Sequence, residues 1–219
     1  MTENFKYYVI HNLEKSRYEN ITSLLKKYGV DIDDVNFINY PNKNELTYDI
    51  KKKVVQKNSK IKDGWISCSY KHYLALEMIV NNQDEFAVIM EDNIGDFFEN
   101  IPARLNKYLE ELPDNWDVVY DSVWGNYEAM DEERIKTNKL IYSKSNKTTT
   151  KLYENFIPFN HSADMWMNDV LRKIDAKSFW SEPSLVVSKY NTKTSTDLSF
   201  FRDFFYILKT KIINFRLQI

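Results

Sequence analysis

The stretch that most constrains this chain is the apolar run 86–90, which changes abruptly to the polar residues Glu91, Asp92 and Asn93. Five consecutive apolar residues predict a strand that is buried on both faces, as in a parallel sheet covered by helices. Open α/β sheets bind their ligands at the carboxyl ends of the strands. The two carboxylates are therefore expected at the edge of a ligand crevice.

Adjacent carboxylates a few ångströms apart repel each other by about 1 kcal/mol in water and about 4 kcal/mol at an effective dielectric of 20. A positive group is therefore expected beside Glu91 and Asp92. A divalent cation that carries a nucleotide diphosphate is one candidate. The alternative is a solvated acidic loop that merely ends a strand, and the local sequence does not decide between the two.

The residues before this strand alternate between strand and helix signals. Residues 7–10 and 35–38 read as strands, and residues 16–28 between them have a capping-box start and an apolar stripe at helical spacing. Gly29 is expected to end that helix. The order strand, helix, strand predicts the opening of a parallel sheet.

A second helix is predicted to run from about Gly64 to Val80 and to lead directly into the strand 86–90. On it Cys68 and His72 share one face, because they are four residues apart. The start of this helix and the acidic corner are thus expected near the same sheet edge. Cys68 is interpreted as a small buried hydrophobe. For His72, one interpretation is a packed, hydrogen-bonded core residue without a functional role.

The alternation continues with a helix that has Pro102 in its first turn and a strand over residues 116–120. Beyond Asp121 the pattern loosens. Ser162 is expected to cap a helix, and short strands are predicted at 140–142, near Thr148, at 178–180 and at 185–187. The sequence therefore predicts an α/β fold with a mixed, mostly parallel central sheet flanked by helices and a less regular C-terminal half.

Composition excludes several classes of protein. A net charge of −2 argues against binding to nucleic acid, and 4 glycines leave no glycine-rich phosphate loop of the Walker or Rossmann kind. The single cysteine excludes an internal disulfide framework and fits a reducing compartment. No apolar run has the length of a signal peptide or of a membrane span, so a cytoplasmic protein is expected.

Motifs that carry little information singly follow one another in a distinctive order. They are an opening strand with an Asn-Leu-x-x-Ser-Arg turn (9–17), Cys68 and His72 at a helix start, an apolar strand ending Glu91-Asp92-Asn93, a Trp-Asp-apolar-apolar-Tyr strand (116–120), an Asp-containing helix start (162–166) and a Pro-apolar segment (182–186). This order resembles glycosyltransferase family 25, the GT-A-fold sugar transferases that modify lipopolysaccharide and collagen. Lys71 stands where that family has a serine, and Asn93 replaces the last acid of its Glu-Asp-Asp hallmark.

The resemblance implies a UDP-sugar donor, with galactose or glucose as the sugar, and Mn²⁺ or Mg²⁺ as the cofactor. It further implies inverting transfer to a hydroxyl of a glycan or glycoconjugate. One GT-A-like domain is expected over 1–199, with a nucleotide-sugar half (1–121) and an acceptor half (122–199). The metal is assigned to Glu91, Asp92 and Asn93, since an Asn carbonyl can still be an oxygen ligand.

The remaining roles rest on the same resemblance and on positions in the predicted fold. Donor binding is assigned to Asn12, Arg17, His72, Glu91 and Asp92. Arg17 lies just inside a helix N-terminus, and a surface arginine with contacts along its own helix is the alternative for it. Asp164 is the first candidate for the general base, and Asp121 is the second because it ends a buried strand at the same sheet edge. An Asp in a first helical turn is also favoured by the helix dipole without any catalytic role, so both interpretations of Asp164 stay open.

Two alternatives to this enzyme remain from the sequence. One is a metal-independent or inactive protein of the same fold, which Asn93 motivates, and the other is a non-catalytic binding or scaffold module. The apolar and basic tail 200–219 has three interpretations: contact with an anionic membrane surface, a last helix docked on the core, or a homodimer contact.

Overall fold

The computed structural model describes residues 4–113, 115–120, 146–180 and 186–188. Several predictions lie outside these residues and are not tested by them: the strand at 140–142, the segment around Pro183, the tail 200–219 and the position of Asp121.

The first part of the chain alternates strands and helices as predicted. Its elements are β1 (Phe5–Ile10), α1 (Lys15–Lys27), a short 3₁₀ turn (Ile32–Asp34), β2 (Val35–Ile38), α2 (Tyr48–Val54), α3 (Asp63–Asn82) and β3 (Phe86–Glu91). The following elements are β4 (Ile94–Phe97), α4 (Ile101–Glu111), β5 (Val118–Tyr120), α5 (Asn146–Phe156), α6 (Ala163–Lys173), β6 (Ser178–Trp180) and β7 (Val186–Ser188).

A parallel sheet in the order β2-β1-β3 forms the centre. Ile10 at the end of β1 lies opposite Ile38 of β2 and Glu91 of β3, so the three strands end level with one another. Two further strand pairs are β5-β6, which is parallel, and β4-β7, which is antiparallel. The predicted α/β class and its parallel sheet are confirmed.

Helices cover both faces of this sheet, which explains why β3 is apolar from Phe86 to Met90. Phe86, Val88 and Met90 pack into one core with side chains of α1 and α4. Ala87 and Ile89 face the opposite core, which α3, α5 and α6 complete. Because side chains alternate between faces along a strand, a strand with a core on each side has no polar face.

Three local predictions were wrong or incomplete. The capping box at Ser16 does not form, because the helix already begins at Lys15 and the Ser16 hydroxyl bonds to Glu14 (2.9 Å). The strand predicted near Thr148 is helix α5, in which the buried residues recur at i, i+3 and i+7: Thr149, Leu152 and Phe156. That helical stripe outweighs the β preference of threonine. Strand β4 was not predicted.

Two methionines of contrasting environment allow a direct test of this core. Met90 is fully buried, whereas Met165 on α6 is 51% exposed. Met90→Ala is expected to lower the free energy of unfolding by about 2–5 kcal/mol, since it leaves a cavity beneath the end of β3. Met165→Ala is expected to change it by less than about 0.5 kcal/mol. Urea unfolding followed by circular dichroism measures both, and equal losses would contradict the burial described.

Candidate functional site

The carboxyl edge of the central sheet brings together the residues that follow β1 and β3. His11 continues β1 and donates its backbone N–H to the Ile38 carbonyl (3.0 Å). Asp92 continues β3 and donates its N–H to the Ile10 carbonyl (3.1 Å). Strand pairing thus extends one residue past each strand, and it fixes His11 and Asp92 side by side.

The Asp92 carboxylate is buried and fully engaged by the protein. One oxygen accepts from His11 Nδ1 (2.7 Å) and from the Asn12 backbone N–H (3.3 Å), and the other pairs with Arg17 Nη1 (2.9 Å). Burial tends to raise the pKa of Asp92, but the His11 hydrogen bond and the Arg17 charge outweigh it, so the pKa lies below its ordinary value. Asp92 is therefore an anion held by two residues of the N-terminal segment.

Arg17 reaches Asp92 from the first turn of α1. Its Nε also pairs with Glu14 (3.2 Å), so the guanidinium lies between two carboxylates and is mostly buried. The connection between β1 and α1 is tight: Leu13 has a φ of 66°, and the Asn12 side chain accepts from the Glu14 N–H (3.0 Å). This short turn is what places Arg17 over the end of β3.

Lys71 on α3 supplies a further positive group that the sequence did not assign. Its ammonium is buried and donates to the His11 carbonyl (2.6 Å) and to the Asn42 side chain (2.8 Å). Burial lowers the pKa of Lys71, and the neighbouring Cys68 and Asp92 only partly oppose this. Lys71, which stands where the family has a serine, therefore belongs to the candidate site.

Glu91 faces the opposite side of the sheet from Asp92. Its Oε1 accepts from Cys68 Sγ (3.2 Å) and lies 3.4 Å from His72 Nε2, and both of these residues belong to α3. Successive residues of a strand point to opposite faces, so the two adjacent carboxylates have separate partners. The repulsion expected from their adjacency is reduced in this way.

Asn93 completes the acidic corner with a buried acceptor. The residue is 6% exposed, and its Oδ1 has no hydrogen-bond partner among the described residues. A buried carbonyl without a donor costs about 1–3 kcal/mol unless a ligand or water satisfies it. This oxygen is a donor of the kind that Mg²⁺ and Mn²⁺ prefer, and Glu91, two residues earlier in the chain, carries a second, so the residue types present fit such a cation.

The sequence model of a known protein family matches residues 4–205, which is nearly the whole chain. That family is described as glycosyltransferase family 25 (LPS biosynthesis protein). The chain belongs to glycosyltransferase family 25. Comparison with curated proteins gives no significant match. The activity of the family is glycosyl transfer, which requires a nucleotide sugar as donor and a glycan acceptor.

Most residues assigned to the family 25 site from sequence lie together at the sheet edge: Asn12, Arg17, His72, Glu91, Asp92 and Asn93. The sequence assigned no role to His11, which lies in the opening motif 9–17 without being one of its defining residues, or to Asn42, which lies in no motif; both reach the site through long-range contacts. Asp164 lies in the first turn of α6, which packs on α3 and α5. Asp121 is outside the described residues.

The described part of this family 25 chain shows no helix with both the length and the apolar character needed to cross a bilayer.

The Asp92 anchor can be tested by its effect on stability. Asp92→Asn is expected to lower the free energy of unfolding at pH 7 by about 3 kcal/mol, since Arg17 and His11 remain buried without their anion. Because folding lowers the pKa of Asp92, its contribution is complete above the unfolded-state pKa of about 3.9 and is lost as the pH falls through the lower folded-state pKa.

Urea unfolding from pH 7 to pH 3 measures this difference. The difference in the free energy of unfolding between the wild type and Asp92→Asn is expected to stay constant down to about pH 5 and to become smaller below about pH 4. Asp33→Asn, at an exposed aspartate of the 3₁₀ turn, is the control and is expected to change stability by less than about 0.5 kcal/mol. A difference that widens as the pH falls would refute the anchor.

Proposed function

We propose that this family 25 enzyme transfers a hexose, galactose or glucose, from a UDP-sugar to a hydroxyl of a glycan or glycoconjugate, with inversion and with Mn²⁺ or Mg²⁺. The observation that carries the proposal is the buried Asn93 Oδ1, which has no hydrogen-bond partner among the described residues and lies two residues after Glu91, at the edge of the sheet where such folds bind ligands. Glu91 and Asn93 would hold the cation, and Asp92 would fix the geometry of the corner through Arg17 and His11.

A bound divalent cation would neutralise the negative charge that builds up on the departing diphosphate. Glu91, the last residue of β3, and Asn93, two residues beyond it, would hold the cation at the end of a strand that is buried on both faces. The buried ammonium of Lys71 adds positive potential to the same edge. Glu91 belongs to β3 and Lys71 to α3, which favours a preorganised site.

An aromatic surface next to this corner suits the uracil ring. The rings of Tyr18 and Phe37 lie 4.8 Å apart between centroids, and both are near His11. Tyr18 is 42% exposed, so one side of the pair is open to a ligand. Aromatic faces of this kind stack on nucleobases. We place the uridine there and the diphosphate toward Asn93.

During transfer the acceptor oxygen would form a bond to the anomeric carbon while the bond from that carbon to the diphosphate oxygen breaks. The acceptor proton would pass to a carboxylate, and Asp164 is the proposed base, with Asp121 as the alternative. Support for Asp164 comes from its place at the start of α6 and from its match to the family's late Asp motif.

The metal-independent alternative also has support from a specific observation. Arg17, His11 and Lys71 already bring cationic or donor groups from the protein to the acidic corner. Such groups stabilise a departing diphosphate in enzymes that use no metal. A scaffold without activity is the remaining alternative, and binding measurements distinguish all three.

Thermal denaturation with UDP tests donor and metal together. UDP at about 100 times its dissociation constant, with Mn²⁺, is expected to raise the melting temperature by about 5–10 °C, and UDP with EDTA is expected to have little effect. Glu91→Gln is expected to abolish the shift, whereas Glu85→Gln, at an exposed residue before β3, is expected to keep it. A shift that survives EDTA supports the metal-independent alternative, and the absence of any shift supports the scaffold.

Hydrolysis of UDP-galactose and UDP-glucose without acceptor tests the base. Asp164→Asn is expected to lower turnover by about 10²–10⁴-fold and to leave the UDP-dependent thermal shift in place, because a general base acts on the proton and not on the donor. Asp169→Asn, on the same helix at a partly exposed residue, is the matched control and is expected to retain turnover. Equal turnover of Asp164→Asn and wild type would remove Asp164 from this role.

A further inference from the structure

Helix α3 presents a thiol and an imidazole to the end of β3. Cys68 and His72 are one turn apart, and both approach the same oxygen of Glu91, Sγ at 3.2 Å and Nε2 at 3.4 Å. The three potential ligand atoms all lie within 4.8 Å of one another. His72 is fully buried, the Glu91 side chain is 17% exposed and Cys68 is partly buried, so the cluster is largely enclosed without being sealed from solvent.

These separations suit a tetrahedral metal. Zinc binds thiolate sulfur at about 2.3 Å and histidine nitrogen or carboxylate oxygen at about 2.0–2.2 Å, which puts ligand atoms about 3.3–3.7 Å apart around a tetrahedron. The two measured distances to Glu91 Oε1 are close to that range. The spacing of four residues on a helix is also the one by which helical ligand pairs reach a common metal.

We propose that Cys68, His72 and Glu91 form a binding site for Zn²⁺ with its fourth position open to water or to a ligand. Sulfur and nitrogen donors favour zinc over Mg²⁺ and Mn²⁺, which prefer oxygen. Binding replaces the proton of the Cys68 thiol by the metal and releases that proton to solvent.

The zinc site shares Glu91 with the cation proposed for the donor. Glu91 cannot serve both metals in one geometry, because its carboxylate would have to turn from α3 toward Asn93. Zinc is therefore expected to compete with Mn²⁺-dependent UDP binding. This competition rests on the proposed function, whereas zinc binding itself does not.

Cobalt is the probe for the ligand set. A thiolate bound to Co²⁺ gives a charge-transfer band in the near ultraviolet, and intense visible bands report four-coordination. Cys68 is the single cysteine of the sequence, so such a band has one source. The full-length protein is expected to develop the band with one equivalent of Co²⁺, to lose it on addition of one equivalent of Zn²⁺, and to release about one proton per metal.

Variants assign each ligand. Cys68→Ser is expected to abolish the band, and His72→Gln and Glu91→Gln are expected to weaken zinc binding by at least about tenfold. His161→Gln, at an exposed histidine of the same chain, is the control and is expected to bind as wild type does. Circular dichroism checks that each variant is folded, and Cys68→Ser is decisive because the residue is only partly buried and serine is close to it in size.

The outcomes separate this proposal from the proposed function. Absence of the band at saturating Co²⁺, or its persistence in folded Cys68→Ser, overturns the zinc site. Cys68→Ser is expected to keep the Mn²⁺-dependent UDP shift, since Cys68 is not among the proposed donor ligands. If the band forms but wild type shows no UDP shift, the zinc site stands and the donor proposal falls.

Discussion

The buried carboxylate of Asp92 links the elements that meet at the carboxyl edge of the central sheet. It joins the residue after β3 to His11, the residue after β1, and to Arg17 on α1. The N-terminal segment and the end of β3 thereby meet at one anion, although Asp92 is 81 residues from His11 and 75 from Arg17 in sequence. A buried ion pair of this kind contributes little net stability compared with apolar packing, but losing one partner is costly. Its main effect is therefore to fix the positions of Arg17 and of the turn at Leu13, because these positions supply the partners of the Asp92 anion.

The acidic corner divides its two carboxylates between the two faces of the sheet. Asp92 turns to the charged groups of the N-terminal segment, and Glu91 turns to Cys68 and His72 of α3. This division follows from strand geometry, since consecutive side chains leave on opposite sides. It makes the two acids chemically different. Asp92 is an anchor whose pKa is lowered by its partners, whereas Glu91 accepts longer hydrogen bonds from Cys68 and His72 that a metal could replace.

Periodicity predicted the strands and helices of the described fold well, because each core face imposes its own repeat on the sequence. The apolar run of β3 from Phe86 to Met90 and the helix end at Gly29 are examples. The strand expected at Thr148 was wrong, since β preference is weaker than a helical stripe buried on the core.

Lys71 and Asn42 could not be assigned from spacing: they are 29 residues apart and meet only because α3 lies beside the loop after β2. A lysine in a helix normally predicts a solvated face, and its burial here is a property of the tertiary structure.

The two proposed metals differ in what they require of the same residue. A donor cation needs hard oxygen ligands, and the oxygen of Asn93, which has no hydrogen-bond partner among the described residues, is a candidate for one of them. Zinc needs the sulfur and nitrogen that α3 already holds near Glu91. In the arrangement described, Glu91 faces the zinc ligands, so the donor cation would have to overcome two hydrogen bonds before it gains the carboxylate. An asparagine in place of a third acid weakens the attraction toward that side. The Asn93 substitution and the orientation of Glu91 thus both favour zinc over the donor cation. Which metal binds at this corner therefore depends on whether Glu91 faces α3 or Asn93.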